Sequence, residues 1–176
     1  MKNKKNRLNQ NKILLFGSKG QVGKTLIDEG IKNFKIIFLN SKKKEDINNF
    51  KKIEQTINHI KPQIIINAAA FTNVDMSEIK KKISKKTNFE AVKHLSKLCK
   101  KHNIFLVHFS SDYVFGNNGT NTLSEESNKT PINYYGYTKL KSEEAIIKSK
   151  CNFVILRTAW VYSVYKKNFF YSVRNK

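Results

Sequence analysis

Tyr135 and Lys139 stand four residues apart in the segment Tyr135-Gly136-Tyr137-Thr138-Lys139. The surrounding pattern predicts a helix from about Asn133 to Lys148, and residues at i and i+4 share one helix face. Both side chains are therefore expected to act at one place. An ammonium beside a phenol favours the phenolate and lowers a tyrosine pKa that starts at about 10. Bringing that phenol to near neutrality takes roughly 4 kcal/mol of differential interaction. A tyrosine tuned this way exchanges a proton near neutral pH, as reduction of a carbonyl requires. Tyr and Lys are common on helices, so the pair takes its meaning from the elements that position it.

Those elements alternate. Apolar runs predict strands at Lys12–Phe16, Lys35–Leu39, Ile64–Ile66, Ile104–Phe109 and Phe153–Arg157. Helical segments fall between them at Val22–Ile31, Ile47–Ile60 and Asn88–Lys101, with the Tyr135 helix last. Pro62 closes the second helix, and the polar stretch from Asn117 to Thr130 reads as a loop. Strands alternating with helices predict an α/β fold, a doubly wound parallel sheet. Near-continuous apolar strands predict burial on both faces. No internal repeat or linker divides residues 12–176, and residues 1–11 read as a basic, disordered tail.

Directly after the first strand comes Gly17-Ser18-Lys19-Gly20-Gln21-Val22-Gly23. Glycines between a strand and a helix let the backbone turn sharply and approach a pyrophosphate on the helix N-terminus. The spacing is G-x-x-G-x-x-G, and its strand–helix context points to a dinucleotide. Gly23-Lys24-Thr25 resembles the end of a P-loop, but the first glycine of that motif falls on Ser18. An acid commonly closes the second strand and holds the adenosine ribose. Here the position is Asn40, followed by Ser41 and Lys42-Lys43-Lys44. Without the acid a 2′-phosphate meets no repulsion, which leans the cofactor from NADH toward NADPH.

The 176 residues suffice for one domain with a core. No apolar run is long enough to span a bilayer or to serve as a signal-peptide core, so the expected location is the cytoplasm. Cys99 and Cys151 stand in no metal or redox spacing and read as idle thiols in a reducing compartment. The net charge of +21 raises a nucleic-acid partner. Yet only Arg7, Arg157 and Arg174 carry the guanidinium suited to phosphate and base recognition. The lysines accompany abundant Asn and Ile, so composition accounts for the charge and no specific nucleic-acid partner is expected.

Read together, these segments resemble the dTDP-4-dehydrorhamnose reductase family of extended short-chain dehydrogenase/reductases. The likeness runs from about residue 12 to 170. Gly20-Gln21-Val22-Gly23 resembles the family's nucleotide loop, and Asp46-Ile47 its adenine-side contact. Ile65-Ile66-Asn67-Ala68-Ala69-Ala70-Phe71-Thr72-Asn73-Val74-Asp75 resembles its I-N-A-A-A-Y-T-x-V-D segment. Asn88 falls where the family has a helix-starting Asn. Val107-His108-Phe109-Ser110-Ser111-Asp112-Tyr113-Val114-Phe115 is similar to V-H-x-S-T-D-Y-V-F. Tyr135 to Glu143 follows Y-G-x-T-K-L-x-G-E except at Ser142, and Arg157 to Tyr162 follows the segment after the fifth strand.

The resemblance implies a function: hydride transfer from NADPH or NADH to the C4 ketone of dTDP-4-dehydro-rhamnose, giving dTDP-rhamnose for surface polysaccharide. It implies Tyr135 as proton donor, Lys139 as ligand of the nicotinamide ribose that lowers the tyrosine pKa, and Ser111 as hydrogen-bond partner of the carbonyl oxygen. It places Gly17, Gly20, Gln21, Val22, Gly23, Asn40, Asp46, Ile47, Ala68, Ala69 and Ala70 on the cofactor. Thr72, Val74, Asp75, Ser111, Asp112, Tyr113 and Trp160 fall on the substrate. Structural readings stand beside these: Asp75 as a helix cap, Tyr113 and Trp160 as core aromatics, His108 as a packed core residue, Arg157 as an ion-pair partner.

Family members continue well beyond the position of Lys176. That leads to expectations of an uncovered edge at the fifth strand, half a substrate cleft, and completion by a homodimer or a complementing C-terminal fragment. Phe115-Gly116-Asn117 replaces the family's F-D-G. Thr25 replaces a glutamate used by some members in a Mg²⁺-linked contact, so no metal is assigned. The rival readings are a nucleotide-binding remnant or subunit without turnover, another extended short-chain epimerase or dehydratase, and a polyanion-binding protein.

Overall fold

The structure, a computed structural model, describes residues 12–30, 35–38, 46–116, 122–165 and 173. The tail at 1–11, Asn40, the lysines at 42–44 and Asn117-Asn118-Gly119 lie outside the described residues.

Five parallel strands form one sheet: β1 (Lys12–Phe16), β2 (Lys35–Phe38), β3 (Ile64–Asn67), β4 (Phe105–Ser111) and β5 (Phe153–Thr158). Their order is β2-β1-β3-β4-β5. The sheet grows outward from β1 toward β2 and, in the other direction, from β3 to β5, which is the doubly wound arrangement. The direction of winding reverses between β1 and β3, and the carboxyl ends of strands beside such a switch form a ligand crevice.

The helices are α1 (Gln21–Gly30), α2 (Phe50–Ile60), α3 (Val74–Ile79), α4 (Lys81–Lys85), α5 (Ala91–His102) and α6 (Tyr134–Ser149). Asparagine side chains start three of them. Asn49, Asn73 and Asn133 accept from the main-chain N–H of Lys52, Met76 and Gly136 at 3.1, 2.8 and 2.8 Å. Each satisfies a helix-terminal donor that has no partner within the helix. The cap at Asn49 explains why α2 begins at Phe50 rather than at Ile47, which is a buried turn residue. The cap at Asn73 leaves Asp75 in the first turn of α3, a favourable place for a carboxylate but not a cap.

The helix expected to start at Asn88 starts earlier. A π-helical turn, Lys86–Glu90, joins α4 to α5 with Asn88 inside it. Strands β3, β4 and β5 also run one or two residues past their apolar patterns, to Asn67, Ser111 and Thr158. Ladder pairing continues there through polar residues, with Phe16↔Asn67 and Ser111↔Thr158 in register.

The core lies on one sheet face. Leu14, Phe16, Ile65 and Leu106 pack with Ile53 and Ile57 of α2, Val92 and Leu95 of α5, and Ile146 of α6. Two-sided burial holds for β1, where Ile13, Leu14, Leu15 and Phe16 are all buried. It fails at the other edge. Phe105, Val154 and Leu156 are 40%, 37% and 40% exposed, on the face opposite the core. Apolar surface beside β5 is thus uncovered among the described residues, and the expectation of two-sided burial is corrected there.

Candidate active site

The loop after β1 is built by close backbone approach. Gly17 has φ +83°, and a Cβ on it would sit 2.5 Å from the Ala68 carbonyl and the Ala69 nitrogen. Only glycine combines that dihedral with that contact. The loop therefore lies directly against the Ala68-Ala69-Ala70 segment after β3. Gly20 N–H donates to Gly17 O at 2.9 Å, and α1 starts one residue later.

A cavity of about 880 Å³ opens over these carboxyl ends. From the cofactor expectation, Gly17, Gly20, Gln21, Val22, Asp46, Ile47, Ala68, Ala69 and Ala70 line it. So do Thr72, Val74, Ser111, Asp112, Tyr113, Trp160, Tyr135 and Lys139. Two of the expected residues that are described do not. Gly23 is buried within α1, and Asp75 is exposed on α3. Ser18, Lys19, Thr87, Phe109, Ser110, Thr158 and Val161 also line the cavity, although no site role was expected of them. Strand register brings in Ser110 and Thr158. The chain after β5 folds back onto α1, where Gln21 Nε2 donates to Val161 O at 3.5 Å.

Tyr135 and Lys139 lie one turn apart on α6 and both are buried. Lys139 Nζ donates to the main-chain oxygen of Phe109 at 2.6 Å and lies 3.5 Å from His108 Nε2. Burial pushes its pKa down to about 8, against an opposing pull from Glu143. Burial also raises the Tyr135 phenol above its ordinary value. A Ser111 hydrogen bond works against that rise, while Asp112 and Tyr113 add to it. The expected lowering of Tyr135 by Lys139 is therefore corrected, since the ammonium is anchored to β4. A raised phenol remains an acid at neutral pH, which suits proton donation. The Ser111 hydroxyl has one proton, and it donates to Asp112 Oδ1 at 2.9 Å. Asp112 thus competes with the phenol for it.

The supporting residues are satisfied. Asn88 Oδ1 accepts from Phe71 N–H at 2.8 Å, while its Nδ2 donates to Phe71 O at 3.1 Å and Thr138 Oγ1 at 3.2 Å. It ties the segment after β3 to α6. Arg157 pairs with buried Glu143 through two bonds, of 3.0 and 2.8 Å, and Ser110 donates to the same carboxylate at 2.5 Å. Arg157 is therefore a structural ion-pair partner. His108 is fully buried and hydrogen-bonded, a core residue. Tyr113, 38% exposed, and Trp160, 68% exposed, are not core aromatics. Tyr113 meets the Tyr135 ring edge-on at 5.7 Å. Among the described residues no helix is long and apolar enough to cross a membrane, and no cluster of three or more His, Cys, Asp or Glu is arranged to hold a metal.

Comparison with known proteins bears on this arrangement. Over 160 residues the chain is 36% identical to the dTDP-4-dehydrorhamnose reductase of Salmonella typhimurium, covering 89% of this chain and 54% of that protein. The chain spans about half the length of the curated relatives it matches. A crystal structure of dTDP-4-dehydrorhamnose reductase from Bacillus anthracis in complex with NADP superposes with a TM-score of 0.89 at 30% identity. It is covered over 59% of its length by 94% of this chain. A Clostridium acetobutylicum structure of the same description gives 0.86 at 31% identity, with 93% of this chain covering 58% of that one. The family described as RmlD substrate binding domain matches residues 11–176, the whole of the sheet and cavity described above, and the chain belongs to that family.

Proposed function

We propose that this chain carries the dinucleotide-binding and proton-donating part of a dTDP-4-dehydrorhamnose reductase acting in the cytoplasm. The observation that carries the reading is one cavity joining the glycine loop after β1 to Ser111, Tyr135 and Lys139. The glycine loop, packed against the Ala68-Ala69 backbone, sets the N-terminus of α1 at the cavity, a place suited to a pyrophosphate. Lys139 fits a ribose hydroxyl. The NADP complex of the Bacillus anthracis relative supports NADPH, with NADH as the alternative. Buried free thiols at Cys99 and Cys151 accord with a reducing compartment.

A nicotinamide dinucleotide supplies the hydride when bound. The chain supplies the rest. Ser111 hydrogen-bonds the ketone oxygen at C4 of the sugar. Tyr135 donates its phenolic proton to that oxygen as the alkoxide develops. Asp112, Tyr113 and Trp160 orient the sugar at the mouth of the cavity.

Incubating the purified chain with dTDP-4-dehydro-rhamnose and NADPH tests the reading. Formation of dTDP-rhamnose with matching loss of NADPH is the expected result. Bound dinucleotide with no product would reduce the proposal to a nucleotide-binding unit without turnover.

A further inference from the structure

Behind the cavity, between β3, β4 and α6, lies a buried polar chain that the proposed reaction does not use. Asn67, His108 and Ser142 are each 0% exposed. Their hydrogen bonds have a fixed direction. Ala69 N–H donates to Asn67 Oδ1 at 3.1 Å, so the amide must turn its Nδ2 donor toward His108. That Nδ2 lies 3.1 Å from His108 Nδ1. The Nδ1 atom therefore accepts, and a neutral imidazole carries its single proton on Nε2. His108 is held neutral by burial first and by the charge of Lys139 second. At the other end, Ser142 Oγ donates to the Lys139 main-chain oxygen at 2.6 Å. Having spent its proton, that oxygen accepts from His108 Nε2–H at 3.2 Å.

The direction matters for Lys139. Its Nζ lies 3.5 Å from His108 Nε2. With Nε2 protonated, that approach sets donor against donor, and the ammonium gives no proton to the ring. One of its protons goes to Phe109 O. The other two are available to the cavity that Lys139 lines. In the opposite tautomer Nε2 would accept and draw the ammonium back from the cavity.

We propose that Asn67, His108 and Ser142 form a tautomer lock that keeps the protons of the Lys139 ammonium for a ligand in the cavity. All three are positioning residues acting through Lys139, and the proposal rests on the reading of Lys139 as a dinucleotide ligand. Ser142 occupies the position where the sequence departs from Y-G-x-T-K-L-x-G-E, and the hydroxyl gives Nε2–H its acceptor.

The test joins a spectroscopic readout to an affinity. NMR of the imidazole nitrogens, in the unaltered chain, is expected to show His108 protonated on Nε2 alone. In Asn67→Asp a carboxylate accepts from Ala69 N–H and from Nδ1–H together, so the proton moves to Nδ1. NADPH affinity then falls about tenfold, the worth of one charge-assisted hydrogen bond. If Asn67→Asp does not fold, Ser142→Ala removes the acceptor of Nε2–H, with an expected loss of a few-fold in affinity at an unchanged fold.

A proton on Nδ1 in the unaltered chain overturns the lock. So does a tautomer switch, or Ser142→Ala, with NADPH affinity unchanged. No binding of NADPH or NADH by the unaltered chain overturns the dinucleotide reading and, with it, the lock's role. The NMR result separates that failure from a failure of the lock itself.

Discussion

Lys139 Nζ donates to the main-chain oxygen of Phe109 at 2.6 Å, which anchors the ammonium to β4 while the Tyr135 phenol lies one turn away. Spacing on α6 brings the two residues into one cavity, and the sheet decides where the charge points. The consequences are measurable.

Lys139 makes stability depend on pH. Its folded pKa, about 8, lies below the ordinary lysine value of 10.5. Between these values the unfolded chain binds more protons, so stability rises with pH through the window. The expected gain from pH 7 to pH 9 is about 1 kcal/mol. Higher pH is less clean, because Cys99 and Tyr135, both raised by burial, oppose the gain. Urea unfolding across this range should show the rise in the unaltered chain and its absence in Lys139→Met.

Tyr135→Phe removes the proposed proton donor while keeping the ring that packs edge-on against Tyr113. Turnover is expected to fall at least about a hundredfold, the lower range for loss of a general acid. The melting temperature should stay within a few degrees. Turnover equal to that of the unaltered chain would remove Tyr135 from the mechanism.

Gly17→Ala places a Cβ 2.5 Å from the Ala68 carbonyl at a positive φ. The strain, on the order of 1–3 kcal/mol, falls on the contact between the β1 loop and the segment after β3. Dinucleotide affinity should drop sharply, read by titration, with a modest loss of stability in the same variant.

Arg157→Ala leaves the Glu143 carboxylate, 2% exposed, without its guanidinium. Breaking a buried pair from one side costs about 3 kcal/mol or more. Glu143→Gln, which keeps a hydrogen-bonding group in place, should cost less. Equal losses in the two variants would mean that charge contributes little there.

Much of this arrangement was legible in the chain. Gly17 to Val22 between strand and helix marked the loop, and Tyr135 and Lys139 marked the helix facing it. What escaped depends on contacts distant in sequence. Asn88 reads locally as a helix start, yet it sits inside a π-helical turn because its amide bonds Phe71 and Thr138. Ser110 and Thr158 enter the cavity through strand register, and Val161 through the fold-back onto Gln21. The direction of the Tyr135 pKa was misread for the same reason. Helical spacing gives proximity, whereas burial and the Phe109 carbonyl set the electrostatics.

The central claim is that the residues joined by this cavity bind a nicotinamide dinucleotide. Thermal unfolding of the purified chain, with and without NADPH and NADH, tests it most directly. Ligand at about 100 times its dissociation constant adds roughly 2.7 kcal/mol, enough to raise the midpoint of a domain of this size by several degrees. A cooperative melt that shifts upward with NADPH is expected, with no shift in Gly17→Ala. A melt indifferent to both dinucleotides would contradict it.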